Sequence, residues 1–482
     1  MIKRFLGNGK LNSRVPNKYF DVKIKNVTSY VINKTSTFQA AGWLASTYIC
    51  QQFIRLGSNI ILAWLLAPSL LGTMVLINTL RTGIELLTDV GIGQSIVQSP
   101  RGNDPKFYNT AWTIQIIRGI FLCILTLALT IPLSLVYDNN SLREILPILA
   151  PVFIFSGVSS HSRFLLQKRL ELRKLTLFEL AFTLLSTLIQ IGLALYTPTI
   201  WALVWGLFIN SAITMVGTFF LINWRDHKLQ WDKAAVREIL NFGKWIFAGS
   251  IVYFLAMNFD RLYFANIIPM AMLGIYGVAR TYSEAMMQLF QRLGNYLIFP
   301  KIAGSVERGE DLRTAIGSMR IISLLFIAAG LAMGIALADQ FIYFLYDERY
   351  HAAGFFLPVL LFGTWFAIMA TMTDAIIMGI GKPAGVMFSN ATKLAILVII
   401  LPAVLSLYGI NAALAVFVIA EFGRYIVLFF WQRNAGMNFA KQDLLATMVF
   451  VCLIFVFREI TMLVGLTGGV MDWVRQASVM HS

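Results

Sequence analysis

Apolar residues in this chain come in long uninterrupted blocks rather than in alternation with polar ones. Windows of about 20 apolar residues, the length a helix needs to cross a hydrocarbon core, recur at 41–66, 70–97, 109–136, 145–163, 175–196 and 200–222. After a polar segment they recur at 241–267, 271–299, 315–345, 355–379, 384–406 and 410–431. A last run, 444–466, carries Arg458 and Glu459 and leaves open whether it spans or lies at the interface. Barrel strands would read as short alternating segments. The blocks therefore predict an all-α polytopic membrane protein with twelve core spans, and one or two more left open at the C-terminal end.

Positive charge sharpens this into a topology. The stretch before the first block holds Lys3, Arg4, Lys10, Arg14, Lys18, Lys23, Lys25 and Lys34, and every second connection after it is also basic, as at Arg163, Lys168, Arg169, Arg173 and Lys174. The alternate connections 67–69, 196–199, 268–270 and 407–409 carry no charge. The positive-inside rule then places the N-terminus and the basic connections in the cytoplasm of a multi-pass protein of the bacterial inner membrane. The basic tail has no apolar core before residue 36, which is not the pattern of a cleaved signal peptide, and it is expected to lie along the anionic leaflet. Over 224–242, apolar Trp231, Val236, Ile239 and Leu240 mix with Lys228, Lys233 and Arg237, the pattern of an interfacial amphipathic helix. The expected domains are a basic tail at 1–36, a six-helix lobe at 37–223, an amphipathic linker at 224–240, a second six-helix lobe at 241–432 and an additional segment at 433–482.

Composition agrees and removes a rival. Of 482 residues, 58% are hydrophobic and 13% charged, where a soluble domain needs about 25% charged residues. The formal net charge of +15 is accounted for by orientation at one membrane face, so no nucleic-acid partner is expected. Cys50, Cys123 and Cys452 each sit inside an apolar block, with neither a disulfide framework nor a ligand cluster.

The two sets of six also repeat. An offset of 202 residues carries Trp43 onto Trp245, Leu71 onto Leu273, Gly72 onto Gly274 and Thr79 onto Thr281. Halves of like topology imply a pseudo-symmetric pair of bundles with a substrate site between them.

Several short stretches carry a resemblance. Leu65-Leu66-Ala67-Pro68-Ser69-Leu70-Leu71-Gly72, with Leu87-Thr88-Asp89-Val90-Gly91-Ile92-Gly93-Gln94, resembles the first helix pair of the polysaccharide transporter family. These are the Wzx-type flippases of O-antigen and exopolysaccharide assembly, in the multidrug/oligosaccharidyl-lipid/polysaccharide (MOP) superfamily. Asn258-Phe259-Asp260-Arg261, Leu273-Gly274-Ile275-Tyr276 and Phe299-Pro300 are similar to the seventh and eighth helices of that family. The resemblance covers roughly 36–432. It implies a V-shaped transporter of the multidrug-exporter type. The implied cargo is an oligosaccharide on undecaprenyl pyrophosphate, moved from the cytoplasmic to the outer leaflet, with polysaccharide polymerase machinery as a partner.

A charge at the bilayer centre costs about 2.5–3.5 kcal/mol on insertion scales, so each should face a wet cavity or a partner. Arg55, Arg81, Glu85, Arg118, Arg280, Glu284, Lys393, Glu421 and Arg424 fall near the middle of their expected spans, and Asp89, Arg292 and Asp374 toward the basic face. Arg81 with Glu85, and Arg280 with Glu284, are spaced to pair on one helix face. Arg55 and Arg118 have no acid within a helical turn. The guanidinium fork matches phosphate oxygens, so Arg55, Arg81, Arg118, Arg280, Arg292 and Lys393 are candidates for binding an anionic headgroup. Glu85, Asp89, Glu284, Asp374 and Glu421 are the acids available to a coupling ion, Na⁺ or H⁺. No other cofactor and no metal site is expected. Gly379-Ile380-Gly381-Lys382-Pro383 lacks the spacing of a nucleotide-binding loop and puts Pro where Ser or Thr should ligate magnesium.

Two rival functions stay in view. A membrane polymerase or ligase needs acids or bases on a sizeable outer loop, and only Asp347, Glu348, Arg349 and His351 cluster there. An ion-coupled exporter of cationic drugs needs an acidic cavity, against the excess of mid-span arginine here.

Overall fold

In lipid every backbone N–H and C=O must be satisfied within the chain, which leaves each long apolar block one solution, a helix. The computed structural model describes residues 34–465 and 467, apart from 87, 90, 170, 223–226, 308–311 and 381, and shows that solution throughout, with no strand among the described residues. The first lobe is built from α1 (Lys34–Leu65), α2 (Pro68–Leu86), α3 (Ile92–Gln98), α4 (Pro105–Val136), α5 (Ser141–Val158), α6 (Ser162–Lys168), α7 (Leu172–Tyr196) and α8 (Ile200–Thr218). The second comprises α9 (Lys233–Ile267), α10 (Met270–Glu307), α11 (Leu312–Leu345), α12 (Ala353–Gly379), α13 (Pro383–Asn434) and α14 (Ala440–Leu463). The expected basic tail lies outside the described residues except for 34–36, which open α1.

Two expected single helices are broken, each where side chains offer the backbone other partners. The block at 70–97 stops at Leu86 and restarts at Ile92, and Asp89 Oδ1 accepts the Gly91 N–H at 2.9 Å in the gap. The block at 145–163 parts at a serine run: the Ser160 N–H donates to Thr218 Oγ1 at 2.9 Å, and Ser162 Oγ donates to the Thr218 carbonyl at 2.8 Å. The spans expected at 384–406 and 410–431 are the two helical stretches of α13, which meet at a non-helical break at Gly409, whose φ of 74° suits a residue without Cβ.

The linker expected at 224–240 is helical only from Lys233. Residues 227–232 are not helical, and α9 begins at Lys233 with Asp232 Oδ1 accepting the Ala234 and Ala235 N–H groups. The N–H groups of Lys228, Gln230 and Asp232 donate to Asn109, Thr113 and Thr110 on α4. Alternate residues point the same way only in extended backbone, so the polar row on α4 selects an extended strap. Residues 224–226 lie outside the described ones.

Among the described residues, α4, α5, α7, α8, α11, α12, α13 and α14 are long and apolar enough to cross a membrane. That includes α14, the run whose status was open. The long helices that fall short are α1 and α2 with their repeat partners α9 and α10, and these face one another: α2 packs on α10 and α9, and α1 on α10. Polarity is therefore concentrated at the junction of the lobes. Gly72 and Gly274, superposed by the repeat, meet there. A Cβ on Gly72 would overlap the Met270 carbonyl and one on Gly274 the Pro68 carbonyl, so α2 and α10 cross backbone to backbone as small residues permit in membranes. At that same end, which we call the turn face, the loop after α11 clasps the α1–α2 corner. Trp64 Nε1 donates to the Leu345 carbonyl at 2.7 Å, Arg349 to the carbonyls of Ala63 and Trp64, and the Tyr350 hydroxyl to that of Leu66 at 3.0 Å.

Candidate functional site

Below the clasp the two lobes enclose a chamber of about 610 Å³ between α1, α2, α7, α8 and α10. Its walls follow from helical spacing. Gln51, Arg55, Ser58 and Asn59 recur three to four residues apart and give α1 one polar face, while Ser186, Gln190 and Asn210 do the same for α7 and α8. Most of this polar lining is amide and hydroxyl. The charged groups on the lining are Arg55, Arg163 and Glu179, and Tyr346 reaches the chamber from the turn face. Arg55 is exposed and Nη2 donates to Gln52 Oε1 and, at 3.2 Å, to Gln288 Oε1 on α10, so it touches both lobes.

Arg118, Glu85 and Asp89 line a second cavity of about 280 Å³, inside the first lobe. Arg118 is held there by Thr88 Oγ1 at 3.0 Å and the Glu85 carbonyl. Arg81 lies on α2 with its Nε buried and without a hydrogen-bond partner, and no ion pair with Glu85 is found among the described residues. The side chain of Arg292 lies outside the described residues.

The remaining candidates form a different object. Arg280 pairs with Glu284 at 3.2 Å and with buried Asp260 at 3.6 Å, Arg261 pairs with Glu284 at 2.9 Å, and the Tyr276 hydroxyl donates to Asp260. Lys393, only 2% exposed, pairs with Glu421, while Arg424 pairs with Asp374 and sits 3.7 Å from Glu421. Two acids and two bases thus tie α9 to α10, and two acids and two bases tie α12 to α13. The i to i+4 pairing anticipated for Arg280 and Glu284 is present, and Asp260 is added from the neighbouring helix.

Two buried pairs escaped sequence reasoning. Arg458 on α14 donates to both oxygens of Asp339 on α11, at 2.9 and 2.8 Å, and Arg320 on α11 pairs with Asp443 at the start of α14, where the Tyr425 hydroxyl also donates. These pairs staple α14 to its lobe. The signal was available: Arg320 and Asp339 stand in one apolar block and Arg458 in another.

Outside the spans, the Arg349 guanidinium and backbone N–H hold the Asp347 carboxyl below its usual 3.8, in the loop that forms the clasp.

Comparison with known proteins places these features. The profile of the family described as "Polysaccharide biosynthesis protein" matches residues 61–354. The lipopolysaccharide biosynthesis protein WzxC of Escherichia coli (strain K12) is 22% identical over 329 residues, covering 68% of this chain and 66% of WzxC. The teichuronic acid biosynthesis protein TuaB of Bacillus subtilis (strain 168) is 20% identical over 276 residues, 56% of each chain. The match thus spans less than two thirds of either relative. Among solved structures, the lipid II flippase MurJ in an inward closed conformation superposes with a TM-score of 0.73 at 14% identity, covering 90% of this chain and 95% of MurJ. An inward-facing multidrug resistance MATE family transporter of the MOP superfamily superposes with a TM-score of 0.65 at 13% identity, covering 80% of this chain and 94% of its own. The paired six-helix bundles expected from the repeat are the fold of these transporters.

Proposed function

The chain belongs to the polysaccharide biosynthesis protein family, and from that premise we propose that it is a flippase for an undecaprenyl-diphosphate-linked glycan, working from the cytoplasmic to the outer leaflet of the bacterial inner membrane. The observation that carries this reading is the chamber between the lobes. Amide and hydroxyl groups lining it can each both donate to and accept from sugar hydroxyls. Arg55, in contact with both lobes, supplies a fork of donors for a diphosphate. A site at the midplane between two pseudo-symmetric halves is where alternating access operates.

Three devices divide the work. The chamber takes the polar head of the cargo. The clasp at the turn face, together with the Gly72–Gly274 crossing, keeps that side shut and has to part for release outward. The charge network of the second lobe keeps that bundle rigid while the lobes rock, with Glu85 and Asp89 in the smaller cavity as the acids available to a coupling Na⁺ or H⁺. On this reading the protein moves a glycan made by enzymes and delivers it to a polymerase, without catalysing a bond change itself.

The test is reconstitution in liposomes with undecaprenyl diphosphate bearing a fluorescent N-acetylglucosamine as probe. Transfer of the probe to the opposite leaflet, well above the rate in empty liposomes, is the expected result. No transfer of this probe, with transport of a cationic dye instead, would overturn the reading in favour of a drug exporter.

A further inference from the structure

The chamber and the smaller cavity of the first lobe have a side chain in common: Arg163 lines both. On α2 one polar face runs from the first to the second, with Asn78 in the chamber and Thr82, Glu85 and Asp89, three to four residues apart, in the smaller cavity. Arg163 is half-buried, and no hydrogen bond or ion pair of its guanidinium is found among the described residues. The neighbouring Arg118 is engaged by neutral acceptors, Thr88 Oγ1 and the Glu85 carbonyl. That leaves the Glu85 carboxylate without an ion pair among the described residues, while Asp89 Oδ1 accepts the Gly91 N–H at 2.9 Å. The smaller cavity therefore holds an acid and a base that lack charged partners, and the base also belongs to the chamber.

The backbone that carries Arg163 is fixed. The break between α5 and α6, tied to Thr218, places it second in α6. Ser160 Oγ accepts the Ser162 N–H at 3.0 Å and bonds His227 Nε2 at 2.7 Å, which joins this turn to the strap. Exchange between the two cavities is thus left to the side chain, which ends in five N–H donors and has no acceptor of its own. In the smaller cavity it shares the lining with Glu85 and Asp89 from α2, Arg118 from α4 and His161 from the turn before α6. In the chamber it shares the lining with Arg55 from α1 and Glu179 from α7.

We propose that Arg163 couples the two cavities: it pairs with Glu85 and Asp89 while these are charged, and turns to the diphosphate of the cargo when a proton or a monovalent cation takes its place beside them. The inference rests on the transport reading above. The physics is a competition for one guanidinium. Charged carboxylates hold it, and neutralising them ends that attraction, so that a diphosphate beside Arg55 becomes its strongest available acceptor. Charge balance points the same way. Arg118 and Arg163 offset Glu85 and Asp89 in the smaller cavity, and turning Arg163 into the chamber calls for one positive charge in its stead. Linkage makes the effect reciprocal: the ion tightens cargo binding, and cargo raises the affinity for the ion by the same factor.

Equilibrium binding of undecaprenyl diphosphate–N-acetylglucosamine to the full chain in nanodiscs tests this, across pH and with Na⁺ exchanged for choline at constant ionic strength. In the parent, acidification or Na⁺ is expected to tighten binding about tenfold, within the range of coupling between two sites, and whichever acts identifies the ion. Arg163→Ala should bind at the weak level and lose the dependence, and Arg163→Lys, which keeps the charge, should retain part of both. The double change Glu85→Gln with Asp89→Asn should bind at the tight level throughout. Protonation of the probe itself is common to all these proteins, so the difference between them is the reading. Adding probe to the parent should also draw in about one H⁺ or one radioactive Na⁺ per molecule bound, as the charge balance requires, and none in Arg163→Ala. A parent that binds the probe without ion dependence, or an Arg163→Ala variant that keeps the dependence or the uptake, would overturn this inference alone. A parent that binds no probe would overturn the transport reading and this inference with it.

Discussion

The two lobes treat polarity inside the membrane in opposite ways. The first lobe spreads amides and hydroxyls over an open chamber wall and leaves Arg55 exposed between the lobes. The second lobe gathers four acids and four bases into two ion-pair clusters, with Asp260, Lys393, Glu421 and Arg424 buried. Neutral polar groups can release and re-form hydrogen bonds with a moving ligand at little cost, whereas a buried ion pair that loses a partner leaves an uncompensated charge. Under the proposed function the first lobe's wall handles cargo and the second lobe's ion pairs give rigidity, and substitutions on the two sides should separate stability from transport.

The largest effect on folding is expected in the network. Glu421→Ala strands Lys393 and should cost about 3–5 kcal/mol, read as a loss of thermal stability in detergent. The paired change Lys393→Met with Glu421→Met should recover most of it. If Glu421→Ala kept full stability and lost transport, the division of labour would fail. Next comes the crossing of the lobes. Gly72→Val drives a side chain into the Met270 backbone and should cost about 1–3 kcal/mol as overpacking does, with the turn face becoming reactive to impermeant thiol reagents at a cysteine introduced beneath the clasp. A variant as stable and as unreactive as the parent would show that the crossing is not a closure.

Arg55→Ala tests the other side of the contrast. It removes no buried partner, so stability should stay within about 0.5 kcal/mol, while translocation of the undecaprenyl probe should fall at least about tenfold, or about 1.4 kcal/mol. The smallest effect is a pH dependence at the clasp. Since the Asp347 carboxyl is depressed below 3.8, its pairing with Arg349 contributes above that value and is lost as pH falls through the lower folded value. Being exposed, the pair is worth less than about 1 kcal/mol. Acidifying the turn-face side below about pH 3.8 should loosen the clasp slightly in the parent and not in Asp347→Asn, measured by the same thiol reaction.

Much of the fold was legible because lipid leaves the backbone few options. Block length marked the long helices, and the 202-residue offset picked out Gly72 and Gly274, which meet where α2 and α10 cross. What was not legible depended on partners distant in sequence. The break between α5 and α6 needs Thr218, and the extended strap needs the polar row on α4, neither of which local periodicity contains. The site was less legible than the fold for the same reason. Mid-span position marked Arg55, Arg280 and Lys393 alike, since hydropathy registers a charge without its partner. Only packing distinguishes Arg55, on the chamber wall, from Arg280 and Lys393, which are paired within the second lobe. Arg163, Gln190 and Asn210, which line the chamber, were passed over because a basic connection reads as orientation and an amide in an apolar block costs hydropathy little.

The most direct measurement is a structure determined with undecaprenyl diphosphate–N-acetylglucosamine bound. The expected result has the diphosphate beside Arg55 and the sugar against the amide and hydroxyl wall of α1, α7 and α8, with the Lys393–Glu421 and Arg424–Asp374 pairs intact. A headgroup seated on Arg280 or Lys393, with those pairs broken and the chamber empty, would contradict it.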